Sequence, residues 1–135
     1  MGTWGPGNFE NDRAADYLAE LCQPIVEQIQ TAIDDPPCLE PDEPESAIVM
    51  ANIELLSSIF GNMERYASGP IEDVLFPDIL PRPETVSNWK SIYLRVWDGY
   101  IDQLNPKPEH KKNRRIVIAK SFDRLVQVSK SVMDA

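Results

Sequence analysis

The sequence predicts an all-α fold, a single compact domain of four or five helices, and three observations carry that expectation. Apolar residues recur every three or four positions in four long segments. No alternation of apolar and polar residues persists for more than a few positions, as a half-buried strand would require. The 12 prolines mark the boundaries, because a residue without an N–H disrupts a helix interior. A length of 135 residues, 42% of them hydrophobic and 26% charged, fits one globular domain over 1–135.

The first segment runs from about Asn11 to Ile33. Ala15, Leu18, Leu21, Cys22, Ile25, Val26, Ile29 and Ile33 follow helical spacing, and Asn11 is placed to cap the start. Pro24 falls inside the pattern, so a kink, or two helices meeting near Gln23, is expected there. An acidic, proline-rich loop follows over 34–45. The second helix is expected from about Glu43 to Gly61, with Asp42 and Glu45 spaced as a capping box and Pro44 in the first turn. Val49, Ile53, Leu56, Phe60 and Met63 form its main stripe. Ile48, Leu55 and Ile59 broaden that stripe, predicting burial on more than one side. Residues 62–83 hold too many prolines for a long element and read as a packed loop with a short helical turn.

The third segment, from about Glu84 to Leu104, is the clearest amphipathic helix: Val86, Trp89, Tyr93, Val96 and Tyr100 step by three and four. The stretch NPKP ends it. A fourth helix is expected over about Lys111–Met133, carrying Ile118, Phe122, Leu125 and Val126.

The opening stretch MGTWGPGNFEND sets bulky Trp4 in a glycine-rich turn. Glycine permits close backbone approach and Pro6 stiffens the turn, so Trp4 and Phe9 are expected to fold back onto the bundle as a clamp. Asn8 or Asn11 would cap the helix, with Glu10 and Asp12 near its positive end. The functional alternative is that Asn8, Glu10, Asn11 and Asp12 present polar groups to a ligand. The stretch lacks the glycine and 12-residue ligand spacing of a calcium loop.

This stretch resembles the start of a bacterial family catalogued as domain of unknown function 4259. The resemblance rests on Gly2, Trp4, Gly5, Gly7, Phe9, Glu10, Asn11 and Asp12, then Ala14, Asp16 and Leu18. It covers residues 1–21 specifically and extends to Gly61 through an acidic loop and a helix rich in small residues. Arg13 departs from the acidic residue of the family's pattern. The resemblance implies a cytosolic helical domain and brings no catalytic residue.

Composition narrows the function classes. The net charge is −9, unevenly spread: residues 1–85 carry 17 acids and 3 bases, whereas 86–135 carry 5 acids and 10 bases. The halves should attract one another or offer opposite faces to partners. The overall acidity argues against general nucleic-acid binding. No run of about 18 apolar residues suits a membrane span. Neither a secretory leader nor a myristoylation signal is expected at the start, since Pro6 replaces the Ser or Thr of the latter. The expected compartment is the cytoplasm.

One histidine, His110, and two cysteines, Cys22 and Cys38, offer no zinc-type spacing, so neither a metal nor a cofactor is expected. Cys22 reads as a core residue, Cys38 as a loop thiol, and His110 as a solvated residue among cations. Asp12, Asp16 and Glu20 step by four along one helix face. They read as a solvated face. A carboxylate enzyme would need Glu54 or Glu64 brought opposite them.

Lys107, Lys111, Lys112, Arg114 and Arg115 form a basic patch over 107–115 at a helix start, where the macrodipole disfavours cations. It has three readings: pairing with the acidic loop at 40–45, binding an acidic partner, or contacting phosphate. The leading expectation is a non-enzymatic interaction module with an unknown protein partner, of immunity or antitoxin type, using the acidic surface or the basic patch. The alternative is a small metal-assisted or carboxylate-based hydrolase. Substrate, partner identity and oligomeric state are not written in the sequence.

Overall fold

A computed structural model describes residues 7–9, 11–62 and 79–133. Four long helices account for most of them: α1, Asp12–Ile33; α2, Pro44–Gly61; α3, Pro83–Tyr100; and α4, Pro108–Met133. Short 3-10 turns at Pro36–Leu39 and Ile101–Leu104 close the connections after α1 and α3. The all-α domain expected from the periodicity is the fold observed, with no strand among the described residues.

Proline marks the starts more closely than the boundary estimates did. Three of the four helices begin with it: Pro44, Pro83 and Pro108. There its missing N–H is one of those a helix start leaves unbonded anyway, and its fixed φ suits the first turn. The expected capping box of α2 is not formed. Pro44 at the first position makes Glu43 the N-cap, with no side-chain cap bond, and Asp42 lies outside the helix. Asn11 does cap α1: its side chain accepts the Ala14 N–H at 2.9 Å, and its own amide donates to the Asn8 carbonyl at 3.3 Å.

Helix α1 runs through Pro24 as one element. Pro24 and Glu20, whose carbonyl loses its helical donor to the proline, are both exposed. Water can therefore satisfy the freed group. Between α3 and α4, Asn105 adopts a left-handed backbone, φ 51° and ψ 51°. Asparagine tolerates this better than most residues. The chain then passes through Pro106 into α4.

In space α1 packs on α2, α2 on α4, and α4 on α3, while α3 returns to touch α1. The 3-10 turn at 36–39 wedges against α1, α2 and α3 and sends Leu39 into the core. Polar ties fix the register. Trp89 donates its indole N–H to Gln30 at 2.8 Å, joining α3 to α1. Asn52 donates to Gln28 at 3.0 Å, joining α2 to α1. Ser46 and Tyr93 share a buried hydroxyl pair at 2.8 Å, and the Tyr93 hydroxyl donates to the Ser46 carbonyl at 3.1 Å. These levels place the end of α1, the start of α2, the end of α3 and the start of α4 at one end of the bundle.

The core holds Trp89, Tyr93, Phe122, Ile53, Leu56 and Ile118 as fully buried side chains, with Phe9 packed against its edge. One expectation for α2 fails. Ile48 and Leu55 are exposed and Ile59 is half-buried, so α2 buries a single broad face. Small and polar Ser46, Asn52 and Ser57 occupy buried positions on it instead. In the predicted loop over 62–83, residues 63–78 lie outside the described residues. Beyond them Leu80 is buried and the Pro81 carbonyl accepts the Ser129 hydroxyl at 2.6 Å. Trp4, and with it the proposed clamp, also lies outside the described residues, as do Glu10 and Glu64.

Candidate functional site

The bundle end that gathers both short connections carries the strongest charge. Tight turns through 34–43 crowd the acidic side chains. Asp35 accepts the Cys38 N–H through its carbonyl, and Glu40 accepts the Glu43 N–H in the same way. Carboxylate oxygens of Glu40, Asp42 and Glu43 come within 4.8 Å of one another, and Asp42 and Glu43 are exposed. Tyr100, at the end of α3, donates its hydroxyl to Asp42 at 3.3 Å. The negative charge of Asp42 pushes the Tyr100 phenol above its ordinary range. None of the three acids forms an ion pair among the described residues.

The basic patch lies at the same end but spends part of its charge elsewhere. Arg115 grips Asp98 with two hydrogen bonds of 2.9 Å, and Lys111 pairs with Asp102 at 2.6 Å. Both bonds tie the start of α4 to the end of α3 and the turn after it. The internal pairing considered for this patch therefore exists, but with Asp98 and Asp102 rather than with the loop at 40–45. The loop is set aside because Asp98 and Asp102 sit directly beside the first turns of α4. Lys107, Lys112 and Arg114 form no ion pair among the described residues. Arg114 lies close enough for its positive charge to oppose, along with the Ser46 hydrogen bond, the upward push that burial gives the Tyr93 phenol.

The Arg115 hydrogen bonds hold Asp98 below the usual carboxylate range. A group with a depressed folded pKa contributes stability above its unfolded pKa and loses that contribution as pH falls through the folded value. Both side chains are nearly half exposed, at 47% and 44%, so the contribution stays within about 0–1 kcal/mol. Asp98→Asn should lower stability by no more than that at pH 7. The difference from wild type should shrink on acidification and vanish once Asp98 is protonated in both states. Denaturant titrations at several pH values measure this.

The groups that an enzyme would need do not converge among the described residues. Asp16 and Glu20 are exposed, and Glu20 is held by Arg13 at 3.1 Å. Glu54 faces away from α1 and pairs with Arg124 of α4 at 3.3 Å. Among the described residues, this ion pair joins the acidic half of the chain to the basic half. Cys22 is buried, and burial pushes its thiol up. Burial and the charges of Asp35 and Glu45 raise the Cys38 thiol, which donates to the Ala32 carbonyl at 3.4 Å. Neither has the lowered pKa of a reactive thiolate. His110 is exposed on the first turn of α4.

The family model described as Domain of unknown function (DUF4259) matches residues 2–105. The chain belongs to this family. The DUF4259 match takes in α1, α2, α3 and the acidic triad, and it ends at Asn105, just before the basic patch and α4. The opening motif and the acidic loop were legible as a resemblance; the match carries the same relationship on through α3. Arg13 is the partner of Glu20. No curated protein and no solved structure matches the chain. No described helix is long and apolar enough to cross a membrane.

Sequence reasoning treated 40–45 as a charged loop and missed its concentration into a triad. The signal was the spacing Glu40, Asp42, Glu43 around Pro41, which a tight turn folds together. A triad of this kind invites a metal test. Calcium or magnesium should leave the melting temperature almost unchanged, because exposed acids without a preformed cage bind hard cations weakly. A rise of several degrees at sub-millimolar metal would make the triad a metal site, since binding to the folded state raises stability by mass action.

Proposed function

We propose that this domain is a non-enzymatic protein–protein interaction module of the bacterial cytoplasm that binds a basic partner protein through the acidic end formed by residues 34–45. An immunity or antitoxin role is its most concrete form. The observation that supports the reading is the acidic triad itself. Like charges brought together repel, and pairing Glu40, Asp42 and Glu43 with the neighbouring cations would relieve that repulsion. Instead Lys111 engages Asp102 and Arg115 engages Asp98, while Asp42 and Glu43 are exposed, with the Tyr100 hydroxyl beside Asp42 and no ion pair on the triad among the described residues. Fold stability does not explain that arrangement, whereas steering and docking of a cationic surface does.

Photo-crosslinking in cells locates the contact. Ala47 is exposed about one turn inside α2, next to the triad, and Ser131 is exposed near the far end of α4. A crosslinking residue at 47 should capture a basic protein, and one at 131 should not. Equal capture from both positions, or capture of no basic protein from 47, would overturn the assignment of the surface.

A further inference from the structure

We infer that the outer seam between α1 and α2 is a docking groove for one cationic amphipathic helix of a partner protein. The inference rests on the interaction-module reading but concerns a different surface from the acidic end. Its anchor is the Asn52–Gln28 hydrogen bond, which shows which flank of each helix faces the other. Leu21 lies seven residues before Gln28 and Tyr17 eleven before it, on the same side of α1. Ile48, Leu55 and Ile59 lie four before, three after and seven after Asn52, on the same side of α2. In an antiparallel pair these residues line one seam, with Leu21 level with Ile59.

Four of these five are among the apolar side chains that folding leaves exposed, and Ile59 is half-buried. Tyr17 is 51% exposed, Leu21 48%, Leu55 49% and Ile48 39%. Single exposed apolar residues are ordinary, but a seam of them marks an interaction surface. From Ile48 to Ile59 the seam runs about 16 Å, three turns of a docked helix. An amphipathic helix would meet it with anchors at i, i+3 or i+4, and i+7.

The charge around the seam selects the occupant. Outside residues 34–45, α1 and α2 carry five acids, Asp12, Asp16, Glu20, Glu27 and Glu54, and a single base. That base, Arg13, is already engaged by Glu20. A docking helix with an apolar stripe between lysines or arginines matches this surface, and an acidic one is repelled.

The probe is a synthetic helical peptide of leucine and lysine, with a leucine and glutamate counterpart, titrated by fluorescence anisotropy against the full chain. The lysine peptide should bind, and the glutamate peptide should not. Leu21→Ser/Leu55→Ser should weaken binding of the lysine peptide at least about tenfold with the fold retained, as loss of central anchors does. Ile116→Ser/Val117→Ser, on exposed positions of α4, should leave it unchanged. Equal binding by wild type and the seam variant would overturn the groove. A loss of stability of core magnitude in the seam variant would also overturn it, showing the seam covered within the chain. So would self-association that the seam variant abolishes. Glu40→Gln/Asp42→Asn/Glu43→Gln separates the two proposals. If that variant alone abolishes peptide binding, the groove fails and the acidic end stands.

Discussion

Trp89→Ala should cost about 3–5 kcal/mol of stability, the usual range for truncating a buried aromatic. Trp89 is 1% exposed on α3, and its indole N–H reaches Gln30 of α1 at 2.8 Å. Alanine removes the ring from the core and leaves the Gln30 oxygen without its donor. Against a typical total of about 5–15 kcal/mol, the loss is large. The urea midpoint should fall while the slope of the transition is kept. Trp89→Phe retains most of the apolar volume and should lose mainly the hydrogen bond, about 1 kcal/mol. A midpoint for Trp89→Ala equal to wild type would show that the indole does not hold α1 to α3.

Phe122→Ala is expected to be comparably damaging, again about 3–5 kcal/mol. Its ring is fully buried on α4 and meets the Tyr93 ring at 5.5 Å between centroids, tilted by 53°. Such pairs contribute about 0.5–1.5 kcal/mol beyond their buried area. Tyr93 also bonds Ser46, so the cavity would open beside the polar tie between α3 and α2. Phe122→Leu should retain most of the stability, costing up to about 1.5 kcal/mol. Thermal melts of both variants, read by far-UV dichroism, separate a cavity effect from loss of the fold. Equal melting of Phe122→Ala and Phe122→Leu would contradict this packing.

Helix identity was legible because burial follows period. Val86, Trp89 and Tyr93 on α3, and Ile118, Phe122 and Leu125 on α4, are the residues their spacing picks out. Asn11 was legible as a cap for an equally local reason. Helix α2 misled because its composition is apolar all round, so period alone does not choose a face. Ile48 and Leu55 look as fit for the core as Val49 and Ile53. Only the partner helices decide, and they press on the side of Ser46, Val49, Ile53 and Ser57.

Charge showed the same division. The basic patch was evident from sequence, but its partners were not, because Asp98 and Asp102 reach it only after the turn through Asn105 brings α4 back along α3. The triad depends on the turn around Pro41 in the same way. Residue types and counts are local properties, while the choice of which opposite charges meet belongs to the fold.

The acidic end is tested most directly by partner capture with the full chain and with Glu40→Gln/Asp42→Asn/Glu43→Gln, each at matched ionic strength and with its melting temperature measured alongside. The account predicts that wild type retains a basic protein released by moderate salt, as screened surface charge requires. It predicts that the variant loses this protein while melting at or above the wild-type temperature, because removing mutual repulsion does not destabilise the fold. Undiminished capture of the same protein by the variant would contradict the central claim.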